Sequence, residues 1–243
     1  MHMRTACVIP ALNERRGITD VVAGCRKWGL SVYVVDDGSS DATGDRARSA
    51  GAVVLRHPSP LGKGRSLADG AARAAADGFE AVVFLDGDGQ HDPAELQPFL
   101  EAGEAGADIA LGCRSFDERM PFVRRVTNRF QGWLLSAIAR RPLGDTQCGY
   151  RLIRLSAWPR IIPAAGRFAA ESEMLVNAAR LGLRISFIPV RTIYNDDGRS
   201  HIRPVRDAVR FFAMVARLGW ASGLDRIKEA RALLGKGRVD EHA

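Results

Sequence analysis

The segment AVVFLDGDGQHDP, Ala81 to Pro93, decides the reading of this chain. It opens as an apolar run over Ala81 to Asp86, of the kind that forms a strand buried on both faces. It ends in two acids spaced Asp-x-Asp, Asp86 and Asp88, with glycines at 87 and 89. A helix over 92–105 follows at once, with Asp92 as its cap, Pro93 at the first helical position and Glu95 closing a capping box. Strand, polar loop and capped helix make up the unit of a parallel α/β sheet, whose ligands sit beyond the carboxyl ends of strands. In an extended segment Asp86 and Asp88 project to the same side, so both can face one cation. Carboxylates together with phosphate oxygens suit Mg2+ or Mn2+. The glycines leave room for a diphosphate. An isolated Asp-x-Asp is more often a turn with solvated acids; its place at the end of an apolar strand favours the metal site.

The same alternation runs through the first half of the chain. Strands are expected at Ala6–Ile9, Ser31–Asp36, Ala52–Leu55 and Asp108–Gly112, and helices at Ile18–Trp28, Asp41–Ser49 and Lys63–Asp77. Two further strands end in polar sequence, at Pro10-Ala-Leu-Asn-Glu14 and Asp36-Asp-Gly-Ser-Ser40. With Asp86–Gln90 they form three strand ends on one rim, suited to a phosphorylated ligand with a metal. The second half is less regular: helices over Val123–Ala139 and Ser172–Leu181, a strand over Arg184–Val190, and loops at 144–150 and 195–203. An Arg-rich amphipathic helix is expected over Pro204–Leu218, then a last helix over Leu224–Leu234. The expected division is a domain over 1–203 and a helical extension over 204–243.

The 243 residues are 46% hydrophobic and 26% charged, enough for a sizeable core without disulfides. Cys7, Cys25, Cys113 and Cys148 form no CxxC pair and read as reduced thiols of a cytoplasmic protein. The N-terminus lacks the h-region of a signal peptide, and no run approaches the ~20 apolar residues of a membrane span. A net charge of +7 suggests anionic partners. Aromatic residues make up only 7% and do not interleave with basic ones, which argues against nucleic acid. SPLGKGRS, Ser59 to Ser66, is not a phosphate-binding P-loop, because His57 and Gly64 occupy the positions of its first Gly and its Ser/Thr. Lys63, at a helix start, either faces a nucleotide phosphate or is solvated.

PALNE (10–14), VVDDGSSDAT (34–43), LGKG (61–64), DGDGQHDP (86–93), GCR (112–114) and DTQCGYR (145–151) occur in that order. Together they resemble a family 2 glycosyltransferase of the GT-A fold, closest to the dolichyl- or polyprenyl-phosphate sugar transferases, over about residues 4–200. The resemblance implies a nucleotide-sugar donor, Mg2+ or Mn2+, and inversion at the anomeric carbon. It implies that Pro10, Ala11, Glu14 and Asp37 hold the base and ribose, that Asp86 and Asp88 hold the metal, and that Gln90 faces the sugar phosphate. Arg114, with Arg129 or Arg125, falls near an acceptor phosphate, and Arg199, Ser200 and His201 on a loop facing the donor diphosphate. His201 stands where Lys is more usual, and a neutral imidazole donates less charge.

The chemistry agrees with these roles. Transfer needs the leaving diphosphate's growing charge neutralised by cations placed in advance. A lipid-phosphate acceptor is already ionised and needs no strong base, only arginine forks to orient it. A hydroxyl acceptor needs a base, for which Asp145 is the first candidate, although it could equally orient the QCGYR turn. Glu171 and Glu173 are further acids at a helix start. The Arg-rich stretches 119–141 and 203–217 are either solvated helix faces or a docking surface for an anionic membrane, peripheral or through a partner subunit. A nucleotidyltransferase is disfavoured because PALNE is acidic where such enzymes carry basic, Gly-rich sequence. Presence of both Asp86 and Asp88 disfavours a non-catalytic binding module.

Overall fold

A computed structural model describes residues 2–114, 122–162, 170–191, 193, 211, 213, 215 and 216. The chain forms two compact units, Met1–Ser200 and His201–Ala243. Of the second unit, residues 211, 213, 215 and 216 are described and helical; Arg199, Ser200, His201 and the expected helix over 224–234 lie outside the described residues.

The first unit is an α/β layer structure in chain order: β1 (Thr5–Ala11), α1 (Ile18–Arg26), β2 (Ser31–Asp36), α2 (Thr43–Ser49), β3 (Val53–Arg56), α3 (Lys63–Ala76), β4 (Ala81–Phe84), α4 (Leu96–Glu104), β5 (Ile109–Arg114), α5 (Phe122–Ala139), β6 (Arg151–Arg154), α6 (Trp158–Ile161), α7 (Ala170–Arg180) and β7 (Ile185–Val190). Seven strands form one sheet in the order β3-β2-β1-β4-β6-β5-β7. Val, Ile, Phe and Leu of β1, β2, β4 and β5 are almost wholly buried, as strands covered on both faces must be. Gly70 lets α3 lie close against Val8 of β1.

Two details depart from the sequence reading. The sheet is mostly parallel, as expected, but it includes an unforeseen strand, β6, antiparallel between β4 and β5. Its sequence RLIR begins with an arginine that is 1% exposed, so no apolar run announced it. The Arg151 guanidinium donates to the carbonyls of Cys148 and Glu171, which offsets the cost of burying it and ties the 145–150 loop to α7. Secondly, Asp92 does cap its helix, accepting from the Ala94 N–H at 2.8 Å, but Glu95 closes no capping box. Its carboxylate accepts instead from the Arg191 N–H beyond β7, and the first turn, Pro93–Glu95, is a 3-10 turn.

The chain leaves β1 toward β2 and β3 on one side, then returns to β4 on the other. This reversal opens a crevice at the carboxyl ends of β1 and β4. Ala11 is in register with Asp36 and Val8 with Phe84, so the three polar strand ends expected to share a rim are adjacent.

Candidate active site

Asp86 and Asp88 leave β4 into this crevice on a loop held from both sides by glycines. A Cβ at Gly17 would stand 2.9 Å from the Gly87 carbonyl, and a Cβ at Gly149 only 2.5 Å from Asp86 Oδ2. The antiparallel pairing of Phe84 with Arg151, continued two residues, puts Gly149 opposite Asp86. The glycines inside the loop are less tightly enclosed. A Cβ at Gly87 would make ordinary contacts with Ala11, Ile18 and Glu14, while Gly89 adopts φ +75°, a turn conformation that favours glycine. Space at the Asp pair is therefore set largely by Gly17 and Gly149, which motif reading passed over.

Lys63 reaches two carboxylates in the crevice. Its Nζ lies 2.6 Å from Asp86 Oδ1 and 3.0 Å from Glu171 Oε1. Burial works to push the Asp86 carboxyl up, but Lys63, with His91 and Arg151 behind it, wins and holds it at about 2. His91, another residue the motif reading left without a role, is buried against the Tyr150 ring and directs Nδ1 at the Asp86 N–H from 3.4 Å. Asp88 is pushed up, first by burial and then by the Asp86 charge, while its Oδ1 accepts from the Gln90 N–H at 2.9 Å. Glu14 is raised to about 7 by burial and by Asp88, Asp86 and Asp41.

Asp86, Asp88, Glu14 and Glu171 thus crowd one rim around Lys63, and this excess negative charge fits a divalent cation held by Asp86 and Asp88. Among the described residues no group of three His, Cys, Asp or Glu could hold a metal ion by itself. That is the usual pattern where one or two carboxylates share the ion with substrate phosphates.

The Asp37 carboxylate is engaged by its own fold. Oδ1 accepts from the Leu61 N–H at 2.8 Å and lies 2.7 Å from His57 Nδ1, and Oδ2 accepts from the Gly62 N–H at 2.8 Å. His57 Nε2 meets Asp69 Oδ2 at 3.0 Å. Gly62 adopts φ +100° just before α3, so Asp37 fixes the turn that aims Lys63. Pro10 and Ala11 lie at the end of β1, where Ala11 O accepts from the Asp37 N–H.

Across the crevice, Arg114 at the end of β5 makes a two-pronged ion pair with Asp145: Nε to Oδ2 at 2.6 Å and Nη2 to Oδ1 at 3.0 Å. The Asp145 side chain is 1% exposed and also accepts from the Gln147 N–H. Burial works to lower the basicity of Arg114, but Asp145 overrides it and pushes it up. Helix α5, which carries Arg125 and Arg129, packs on this loop: a Cβ at Gly132 would stand 3.0 Å from the Gly144 carbonyl, and the Leu143 N–H donates to Ser136 Oγ. Arg125 is half-buried and Arg129 exposed.

The sequence profile described as "Glycosyl transferase family 2" matches residues 6–160. The chain belongs to glycosyl transferase family 2. Among relatives of this family 2 glycosyltransferase, an undecaprenyl-phosphate mannosyltransferase from Micrococcus luteus is 30% identical, covering 82% of this chain and 87% of its own. A polyprenol monophosphomannose synthase from Mycolicibacterium smegmatis is 26% identical, covering 92% of each. Among solved structures, glucosyl-3-phosphoglycerate synthase from Mycobacterium tuberculosis, in complex with Mn2+ and uridine-diphosphate-glucose, superposes with a TM-score of 0.70. It is 22% identical and covers 90% of this chain and 79% of its own, which establishes the GT-A fold.

Two predictions belong to this glycosyltransferase site. Gly149→Ala forces a methyl onto the Asp86 carboxylate, so it should cost about 1–3 kcal/mol of stability by overpacking, and lower transfer with it. Chemical denaturation beside an activity assay checks this; a neutral variant would contradict the close packing. Glu14 is ionised above about pH 4.5 when unfolded but only above about pH 7 in the fold, so its burial costs stability as pH rises through that window. Without divalent metal, Glu14→Gln should therefore gain on the order of 1 kcal/mol over wild type at pH 8, allowing for solvent screening, and nothing at pH 4. Thermal melts at the two pH values read the difference.

Proposed function

We propose that the protein is an inverting, divalent-metal-dependent transferase that moves a sugar from a nucleotide donor to a polyprenyl-phosphate-type acceptor. The observation that carries this reading is the Arg114–Asp145 fork. A carboxylate with both oxygens engaged and 1% exposure is an orienter, not a base for a hydroxyl acceptor. The fork uses two of the five guanidinium N–H donors, and in this reading the others serve a ligand that needs orienting rather than deprotonating. A phosphate monoester, ionised at neutral pH, is such a ligand. The relatives whose names specify undecaprenyl phosphate and polyprenol phosphomannose support the same class.

In this reading a divalent cation on Asp86 and Asp88 would neutralise the donor diphosphate as its charge grows. Pro10, Ala11 and Glu14 serve the base and ribose, and Gln90 the sugar phosphate. Asp37 supports the donor side by holding the turn before Lys63. Arg114, with Arg125 or Arg129, orients the acceptor oxygen opposite the leaving group, and in-line attack there inverts the anomeric centre.

Helix α5 supports a peripheral position at a membrane surface. Val126, Phe130 and Trp133 are 49%, 47% and 66% exposed at helical spacing, beside Arg125 and Arg129. An apolar stripe edged by arginines suits the headgroup region of anionic lipids, where a lipid acceptor is found. Among the described residues no helix is long and apolar enough to cross a membrane. A panel of UDP- and GDP-sugars with a short polyprenyl phosphate, read by mass spectrometry and by NMR of the anomeric proton, tests the proposal. A product that retains the donor's anomeric configuration would overturn single displacement.

A further inference from the structure

We propose that Lys63 is a built-in counter-cation that holds the acid pair against free metal until a nucleoside diphosphate arrives. This rests on the reading of Asp86 and Asp88 as the metal site. The observation is positional: one ammonium lies 2.6 Å from Asp86 Oδ1 and 3.0 Å from Glu171 Oε1, in the crevice where the excess negative charge lies. Lys63 cannot simply drift away. It is the first residue of α3, the turn before it is held by the Asp37 carboxylate, and Gly62 at φ +100° admits no ordinary side chain. Asp86 is equally confined, by Gly149 at its Oδ2 and His91 at its N–H.

A divalent ion alone must displace the ammonium from Asp86 and bring no new partner for it. A metal–nucleoside diphosphate complex brings the phosphate oxygens onto which Lys63 can transfer. Binding of metal and of donor is thereby coupled through a single side chain, and each raises the affinity for the other. The consequence is specificity for the cation–donor complex over the free ion, with Asp86 kept ionised and in place meanwhile.

The test measures Mn2+ binding to the full chain without donor, from loss of the free-ion EPR signal. Lys63→Met should bind Mn2+ at least about tenfold more tightly than wild type, because the competing charge is gone. Lys63→Arg, which keeps the charge, should stay within about twofold of wild type. Glu171→Gln leaves the ammonium to Asp86 alone and should weaken binding, which keeps the proposal testable if Lys63→Met folds poorly. Adding UDP or GDP should tighten Mn2+ binding in wild type and do so less in Lys63→Met. Equal or weaker Mn2+ binding by Lys63→Met, or tighter binding by Glu171→Gln, would overturn the role of Lys63. A different result removes the underlying site: Mn2+ that binds wild type not at all even with either nucleotide, or binds Lys63→Met undiminished when Asp86→Ala is added.

Discussion

Replacing Asp88 by alanine is expected to lower sugar transfer by about a thousandfold, some 4 kcal/mol of barrier, while leaving the fold as stable as before without metal. The two effects separate because the carboxylate is poorly placed for stability. Burial and the Asp86 charge both disfavour its ionised form, and they outweigh the Gln90 N–H bond and the nearby positive charge of His91 and Lys63. A residue kept where it strains the protein is the signature of a site that needs its charge. Transfer assays across a Mn2+ titration, with thermal melts of the same samples, check both halves. Retained activity, or a large loss of stability, would make the acid pair structural.

Asp145→Asn is the second large effect, and it separates orienter from base. The variant keeps the shape but leaves Arg114 buried without its counter-charge, so about 2–3 kcal/mol of stability should be lost, below the 3–5 kcal/mol typical of a broken buried pair because one oxygen still accepts. With the guanidinium no longer held flat in its fork, transfer should fall about a hundredfold. The loss should be the same at every pH where the protein is folded, because no proton is taken by Asp145 in the reaction. If Asp145 were the base, the variant's loss would instead vary with pH. Rate–pH profiles of both proteins distinguish the two.

Much of the fold was legible in AVVFLDGDGQHDP and in the strand–helix alternation along the chain, because buried parallel strands are continuous apolar runs and helix starts carry local signals such as Asp92-Pro93. The strand β6 was not, because a fully buried arginine satisfied by the Cys148 and Glu171 carbonyls looks polar in a window of four residues. The site divides in the same way. Asp86 and Asp88 were visible from their spacing at a strand end. Gly17 and Gly149 were not, since what a glycine makes room for lies on another element. Lys63, Asp37 and Asp145 were found as residues, but their partners are 23, 24 and 31 positions away in sequence, so their work could be read only once the chain was folded.

The central claim is that this crevice transfers sugar to an ionised phosphate oriented by Arg114, without a protein base. The most direct measurement compares turnover of one nucleotide sugar, with Mn2+, on a short polyprenyl phosphate and on the alcohol of the same chain length. Product from the phosphate alone, lost in Arg114→Met, is the expected result. Product from the alcohol but not from the phosphate would contradict it.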